Sequence, residues 1–102
     1  MIRKLEVPQE IGEGAEVRVL LWHKRPGDAI AEGDAILELE TDKAIVLVIS
    51  KQSGFVRRCF AGDGEWLKVG QVAAFISDAA DEPAPDDRSA SVEGMMALFE
   101  TT

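Results

Sequence analysis

Residues 35–41 (AILELET) and 44–50 (AIVLVIS) are two strand-like apolar runs separated by Asp42 and Lys43 alone. A connection that short folds two such runs into an antiparallel hairpin. Pairing Thr41 with Ala44 fixes the register. Leu39 then faces Val46 and Leu37 faces Val48 on the inward side, while Ile45, Leu47 and Ile49 point outward with Glu38 and Glu40, because a strand alternates its faces. Lys43 stands at the tip, held out in solvent. A primed turn would match the twist of the strands. Asp followed by Lys, with no glycine, is better tolerated in a type I turn, and the pattern alone leaves both open.

Short apolar runs of this kind, punctuated by glycine, continue from residue 1 to residue 77. Strands are expected at 2–7, 17–22, 35–41, 44–50, 55–60, 65–69 and 71–77, with breaks at Pro26-Gly27-Asp28, Glu32-Gly33-Asp34, Ser53-Gly54 and Gly62-Asp63-Gly64. This spacing suits an all-β barrel or sandwich. A weak internal repeat accompanies it. Gly27 and Gly33 recur as Gly64 and Gly70 at an offset of 37 residues, which aligns Val19 with Val56 and Ile30 with Leu67. Two copies are too few for a solenoid. Two halves related by a pseudo-two-fold fit the spacing better, and chance placement of glycines in a Gly-rich β protein is the plainer alternative.

The chain has 102 residues, enough for one small domain with a tail. Its net charge of −8 is uneven. Residues 1–77 carry 10 basic and 12 acidic side chains, whereas residues 78–102 carry one Arg and seven acids. No basic patch is left over for nucleic acid. No window is long and apolar enough to span a membrane. The first residues lack the apolar core of a signal peptide. These readings point to a cytoplasmic protein, or to the mitochondrial matrix if a transit peptide has been removed. Cys59 is the single cysteine, so neither a disulfide framework nor a Cys/Cys metal site can be drawn.

Residues 78–91 change character, with two prolines and five acids among few apolar residues. An acidic Ala/Pro linker, disordered and extended, is expected there. Residues 92–102 turn apolar again. Ser91 can cap a short helix with Val92, Met95, Met96 and Phe99 on one face, although Gly94 weakens it. The chain thus divides into a domain at 1–77, a linker at 78–91 and a tail at 92–102.

Several segments together resemble the lipoyl-attachment domains of 2-oxo acid dehydrogenase acyltransferases. They are Glu10-Ile11-Gly12-Glu13-Gly14, Trp22 with Lys24, Gly27-Asp28, Gly33-Asp34, Glu38-Leu39-Glu40-Thr41-Asp42-Lys43-Ala44, and Gly54-Phe55-Val56. The resemblance covers roughly residues 2–77. It implies a flattened barrel or sandwich of two four-stranded antiparallel sheets with pseudo-two-fold symmetry. It further implies lipoate joined covalently to Lys43, with Asp42 and Ala44 as flanking recognition residues. Leu47 stands where the family usually has Glu, Ile49 and Lys51 or Gln52 where it often has Pro, and Trp66 where it commonly has an aliphatic residue. None of these departures touches the turn. They concern the surface beside the lysine.

By this resemblance the domain is a non-catalytic carrier within a dihydrolipoamide acyltransferase component. Its arm would be acylated reductively by a thiamine-dependent 2-oxo acid decarboxylase. It would deliver the acyl group to the dihydrolipoamide acyltransferase core and be reoxidised by dihydrolipoamide dehydrogenase. A lipoate ligase or lipoyl transferase would load it. Biotin carriers share the fold but usually flank their lysine with methionines, in place of which Asp42 and Ala44 stand here. An unmodified barrel that only binds other proteins is the competing reading, and the outward aliphatic row of Ile45, Leu47 and Ile49 gives it substance. No catalytic residue and no metal ligand is expected. His23 lacks a catalytic partner at a suggestive spacing and is read as a strand-surface residue. Cys59 is read as a small core residue, and Trp22 as core with its indole N–H met by backbone.

Overall fold

Alternation with a period of two sets the strands. In β5 (Ile45–Ser50), Val46, Val48 and Ser50 are buried while Ile45, Leu47 and Ile49 are more open, as a half-buried strand requires. The computed structural model describes residues 1–12, 14–85 and 92–101. Besides β5, these residues form β1 (Ile2–Glu6), β2 (Glu16–Trp22), β3 (Ala29–Ile30), β4 (Ala35–Glu40), β6 (Gly54–Cys59), β7 (Trp66–Lys68), β8 (Val72–Ser77), β9 (Glu93–Gly94) and β10 (Ala97–Thr101). A single 3-10 turn, Gln9–Ile11, follows β1.

The strands make two sheets, in the orders β3-β6-β8-β1-β9 and β10-β5-β4-β2-β7. Within residues 2–77 each sheet is four-stranded and antiparallel, as expected. Val17, Val19, Leu37, Leu39, Val48, Val56 and Ile76 fill the space between them. The β4–β5 register places Leu39 opposite Val46 and Leu37 opposite Val48, the pairing expected from the sequence. A register shift between Val19 and Leu21 re-aims the end of β2. Strict alternation would put Trp22 outside if Val17 and Val19 are inside; the extra residue turns it into the core, where its Nε1–H donates to the Ala61 carbonyl at 2.7 Å.

The tail departs from expectation. No helix forms over residues 92–101. β9 runs parallel to β1 and β10 runs antiparallel to β5, so each sheet has five strands rather than four. Between them the Met95 N–H donates to the Lys4 carbonyl at 2.8 Å and the Lys51 N–H donates to the Met96 carbonyl at 3.0 Å. The tail thus crosses from the edge of one sheet to the edge of the other. The reason is the two open edges. β1 and β5 would otherwise present rows of unpaired N–H and C=O groups, and pairing with them outweighs the modest propensity of a short helix containing Gly94. Ala97 and Phe99 pack against the core while Leu98 lies outside, 41% exposed.

The start of the expected linker is held in place. Arg57 Nη1 donates to Ser77 Oγ at 3.0 Å, to the Ala79 carbonyl at 3.3 Å and to the Glu82 carbonyl. The N-terminal ammonium pairs with Asp78 at 3.4 Å and with Glu82. Residues 86–91, the rest of the expected linker, lie outside the described residues.

The repeat is structural. Gly27 and Gly64 both adopt positive φ, at 97° and 86°, and the turns they end are cross-linked in matching ways. Asp28 N–H donates to the Arg25 carbonyl and Glu65 N–H to the Gly62 carbonyl, at 2.9 and 3.1 Å. The side chains return the bond: Arg25 N–H donates to Asp28 Oδ2 at 2.8 Å and Gly62 N–H to Glu65 Oε1 at 2.7 Å.

Candidate functional site

The turn that carries Lys43 is built around the hydroxyl of Thr41. The Thr41 N–H donates to the Ala44 carbonyl at 2.8 Å, which closes the hairpin. Thr41 Oγ1 donates to that same carbonyl at 3.0 Å and accepts from the Lys43 N–H at 3.2 Å and the Ala44 N–H at 3.0 Å. One side chain therefore satisfies backbone groups that the turn would leave to solvent. Among the described residues no residue other than glycine has positive φ. Both primed turns need one at the first central position, so the Asp42-Lys43 turn is unprimed.

Asp42 and Lys43 are exposed, and Thr41 and Ala44 are partly buried. Lys43 takes part in none of the ion pairs among the described residues. The arrangement presents a primary amine on a backbone fixed in direction and exposed to an approaching enzyme. This is what covalent attachment of a carboxylic acid through an amide requires. The three residues expected at the site, Lys43, Asp42 and Ala44, are thus brought together on one tight turn.

What lies beside that turn is not visible in the residue pattern. A groove of about 490 Å³, within the range of small-molecule sites, is lined by Thr41, Lys43, Ala44 and Val46 from the hairpin, by Pro8 and Ile11 from the loop after β1, and by Ala97, Leu98, Phe99 and Thr101 from β10. Its walls come from segments far apart in the chain. Only the alternation of Ala97 and Phe99 could have hinted that the tail contributes one of them.

The other residues considered fall elsewhere. His23 follows β2 and sets Nε2 2.7 Å from Glu38 Oε2 at the surface. Cys59 is half-buried, and loss of hydration pushes its thiol up to about 11, against the opposing pull of Arg25. A thiol so protonated is a poor nucleophile. Trp66 is 60% exposed on β7.

Comparison with known proteins identifies the family. The biotin/lipoyl family model, described as "Biotin-requiring enzyme", matches residues 3–76. The dihydrolipoyllysine-residue succinyltransferase component of the 2-oxoglutarate dehydrogenase complex of Bacillus subtilis is 34% identical over 97 residues, covering 92% of this chain and 22% of that protein. The dihydrolipoyllysine-residue acetyltransferase component of the pyruvate dehydrogenase complex of Acholeplasma laidlawii is 37% identical, covering 74% of this chain and 14% of that protein. The chain therefore spans between about a seventh and a fifth of the length of these curated relatives. The solution structure of the lipoyl domain of the 2-oxoglutarate dehydrogenase complex from Azotobacter vinelandii superposes with a TM-score of 0.65 at 24% identity, covering 74% of this chain and 95% of that domain, which is a likeness of fold. The chain belongs to the biotin/lipoyl-attachment family, as a lipoyl domain homologous to those of 2-oxo acid dehydrogenase acyltransferase components.

Proposed function

We propose that Lys43 is the attachment point of a lipoyl group and that the domain carries acyl groups between the active sites of a 2-oxo acid dehydrogenase-type complex. The observation that carries this reading is the exposed Lys43 amine on a turn locked by Thr41, outside any ion pair among the described residues. Joined there, lipoate would supply a dithiolane able to take up an acyl group by reductive acylation. The chain's own part is mechanical. Thr41 fixes where the arm begins, Asp42 and Ala44 are the surface a loading enzyme meets, and the β4–β5 hairpin holds both clear of the sandwich.

The relatives are named for acyltransferase components of several such complexes, and this supports the same setting here. The partners would be a thiamine-dependent 2-oxo acid decarboxylase, a dihydrolipoamide acyltransferase core and dihydrolipoamide dehydrogenase, with a lipoate ligase or lipoyl transferase to load the arm. Asp42 and Ala44, in place of methionines, favour lipoate over biotin. A role as an unmodified binding module rests on one observation, the exposure of Ile45 at 37% and Leu98 at 41% on the outer face beside the turn.

Incubation with lipoate, ATP and a lipoate ligase separates these readings by intact mass. The wild-type chain gains one lipoyl group and the Lys43→Arg variant gains none. Uptake by Lys43→Arg, or none by a folded wild-type chain, would overturn the assignment.

A further inference from the structure

The groove beside Lys43 has no part in presenting the amine. Lys43 is itself one of its lining residues, so whatever is attached to that side chain begins at the groove's rim. Pro8, Ile11, Ala44, Val46 and Phe99 make its walls largely apolar. Ile11 and Phe99 are partly buried against the core, so these walls are anchored.

We propose that the groove is a berth for the outer end of the arm: the aliphatic chain and dithiolane ring of a lipoyl group on Lys43 fold back into it, and the tail strand β10 exists in part to build it. The proposal rests on the reading of Lys43 as the lipoyl site. Three observations on the chemistry carry it. An unmodified ammonium would be costly to bring against these walls, but acylation replaces it with a neutral amide followed by apolar atoms, which cost far less to desolvate. The volume of about 490 Å³ is sufficient for a small ligand. The occupant is tethered at the rim, so even a weak contact is populated, because binding is intramolecular. A berthed ring is shielded from solvent and from unrelated thiols between visits to partner enzymes. It leaves the groove when a partner offers a better site.

The test uses the full chain, and one arm of it does not depend on enzymatic loading. In a Cys59→Ala background, Lys43→Cys is joined to an octyl chain through a mixed disulfide, and the same spectra are taken of the wild-type chain loaded with lipoate. The expected result in both is a set of nuclear Overhauser contacts from the attached chain to the methyl groups of Ile11 and Val46 and the ring of Phe99. In the lipoylated protein, reduction of the ring by a water-soluble phosphine is expected to be roughly tenfold slower than for lipoyl-lysine in a short peptide, the factor for a ring free about a tenth of the time. Phe99→Asp should abolish the contacts and restore the peptide rate. If Phe99→Asp fails to fold, Ile11→Ser, in the turn after β1, makes the same test. An octyl chain that tumbles freely and touches none of these residues overturns the berth while leaving the lipoyl assignment intact. Failure of the ligase to modify Lys43 overturns that assignment, and the octyl experiment still reports on the groove.

Discussion

The backbone N–H of Gly27 donates to the carbonyl of Val56 at 2.7 Å. Gly64 and Val19, which occupy the equivalent places in the other half, repeat the bond at 2.6 Å. The Val56 and Val19 N–H groups return bonds to the Asp28 and Glu65 carbonyls at 2.9 and 2.8 Å. Each half therefore ends its turn on the strand of the other, and the two halves cannot separate without breaking both sets. Nothing lies within 4 Å of a Cβ built on Gly27; only its φ of 97° resists a side chain. Gly27→Ala should cost about 1–2 kcal/mol, the penalty of a left-handed backbone with a Cβ. Urea unfolding of the variant would check it, with an unchanged m-value showing that the fold survives.

Gly54 is restricted for the opposite reason. A Cβ there would meet the Ser77 carbonyl oxygen at 2.7 Å and Ile76 Cγ2 at 3.0 Å, because β6 and β8 are packed against each other at this point. Backbone cannot swing aside as a flexible side chain can. Gly54→Ala should destabilise by about 1–3 kcal/mol through overpacking, and the loss should appear as faster amide exchange along β6 and β8.

How far these features were legible in the sequence differs by element. The β4–β5 register followed from Thr41 opposite Ala44 and from alternation alone, and Leu39 does face Val46. The 37-residue repeat was visible, but only the paired bonds of Gly27 and Gly64 distinguish it from chance. The tail misled because Val92, Met95, Met96 and Phe99 fit a helical face, while Met95, Ala97 and Phe99 fit a strand equally well. What decided between them was the open edge of β5, which is a property of the sheet. The groove beside Lys43 was invisible for the same reason, since Ile11 and Phe99 meet only through the fold. The function of Thr41 was missed because a threonine at a strand end looks ordinary until its hydroxyl is seen bridging the turn.

That bridge gives a direct test. Thr41→Val keeps the shape and removes the hydroxyl that accepts from the Lys43 and Ala44 N–H groups. The expected loss is about 1 kcal/mol, and Thr41→Ser should restore most of it. The Ala44 amide should exchange faster in Thr41→Val, and lipoate ligase should load that variant more slowly than Thr41→Ser. Equal exchange and equal loading would show that the hydroxyl does not hold the turn.

Burial sets the pH behaviour of Cys59. Its thiol is pushed from about 9.0 to about 11, so the unfolded chain releases this proton before the folded one does. The folded state binds more protons between these values, and stability must fall as pH rises through them. Below the lower value the group contributes no pH dependence. Thiolate is the reacting form, so alkylation by iodoacetamide at pH 8 should be about 100-fold slower in the folded protein than in urea.

Leu47 stands between two carboxylates. It pairs with Glu38 across β4 and with Glu100 across β10, and residues directly opposite on one face lie within about 5 Å of each other. The glutamate usual in the family at this place would put three acids in a row. Leucine removes that repulsion and leaves β10 free to dock on β5, which ties this departure to the tail strand. Leu47→Glu should therefore loosen the tail: the backbone amides of β10 should lose protection in hydrogen exchange while those of β4 and β8 keep theirs. Added salt should recover part of the loss, because like-charge repulsion at the surface is screened. Leu47→Gln, of similar size and polarity but without charge, should loosen β10 less than Leu47→Glu does. If the two variants behave alike at low and high salt, repulsion from Glu38 and Glu100 is not what Leu47 avoids.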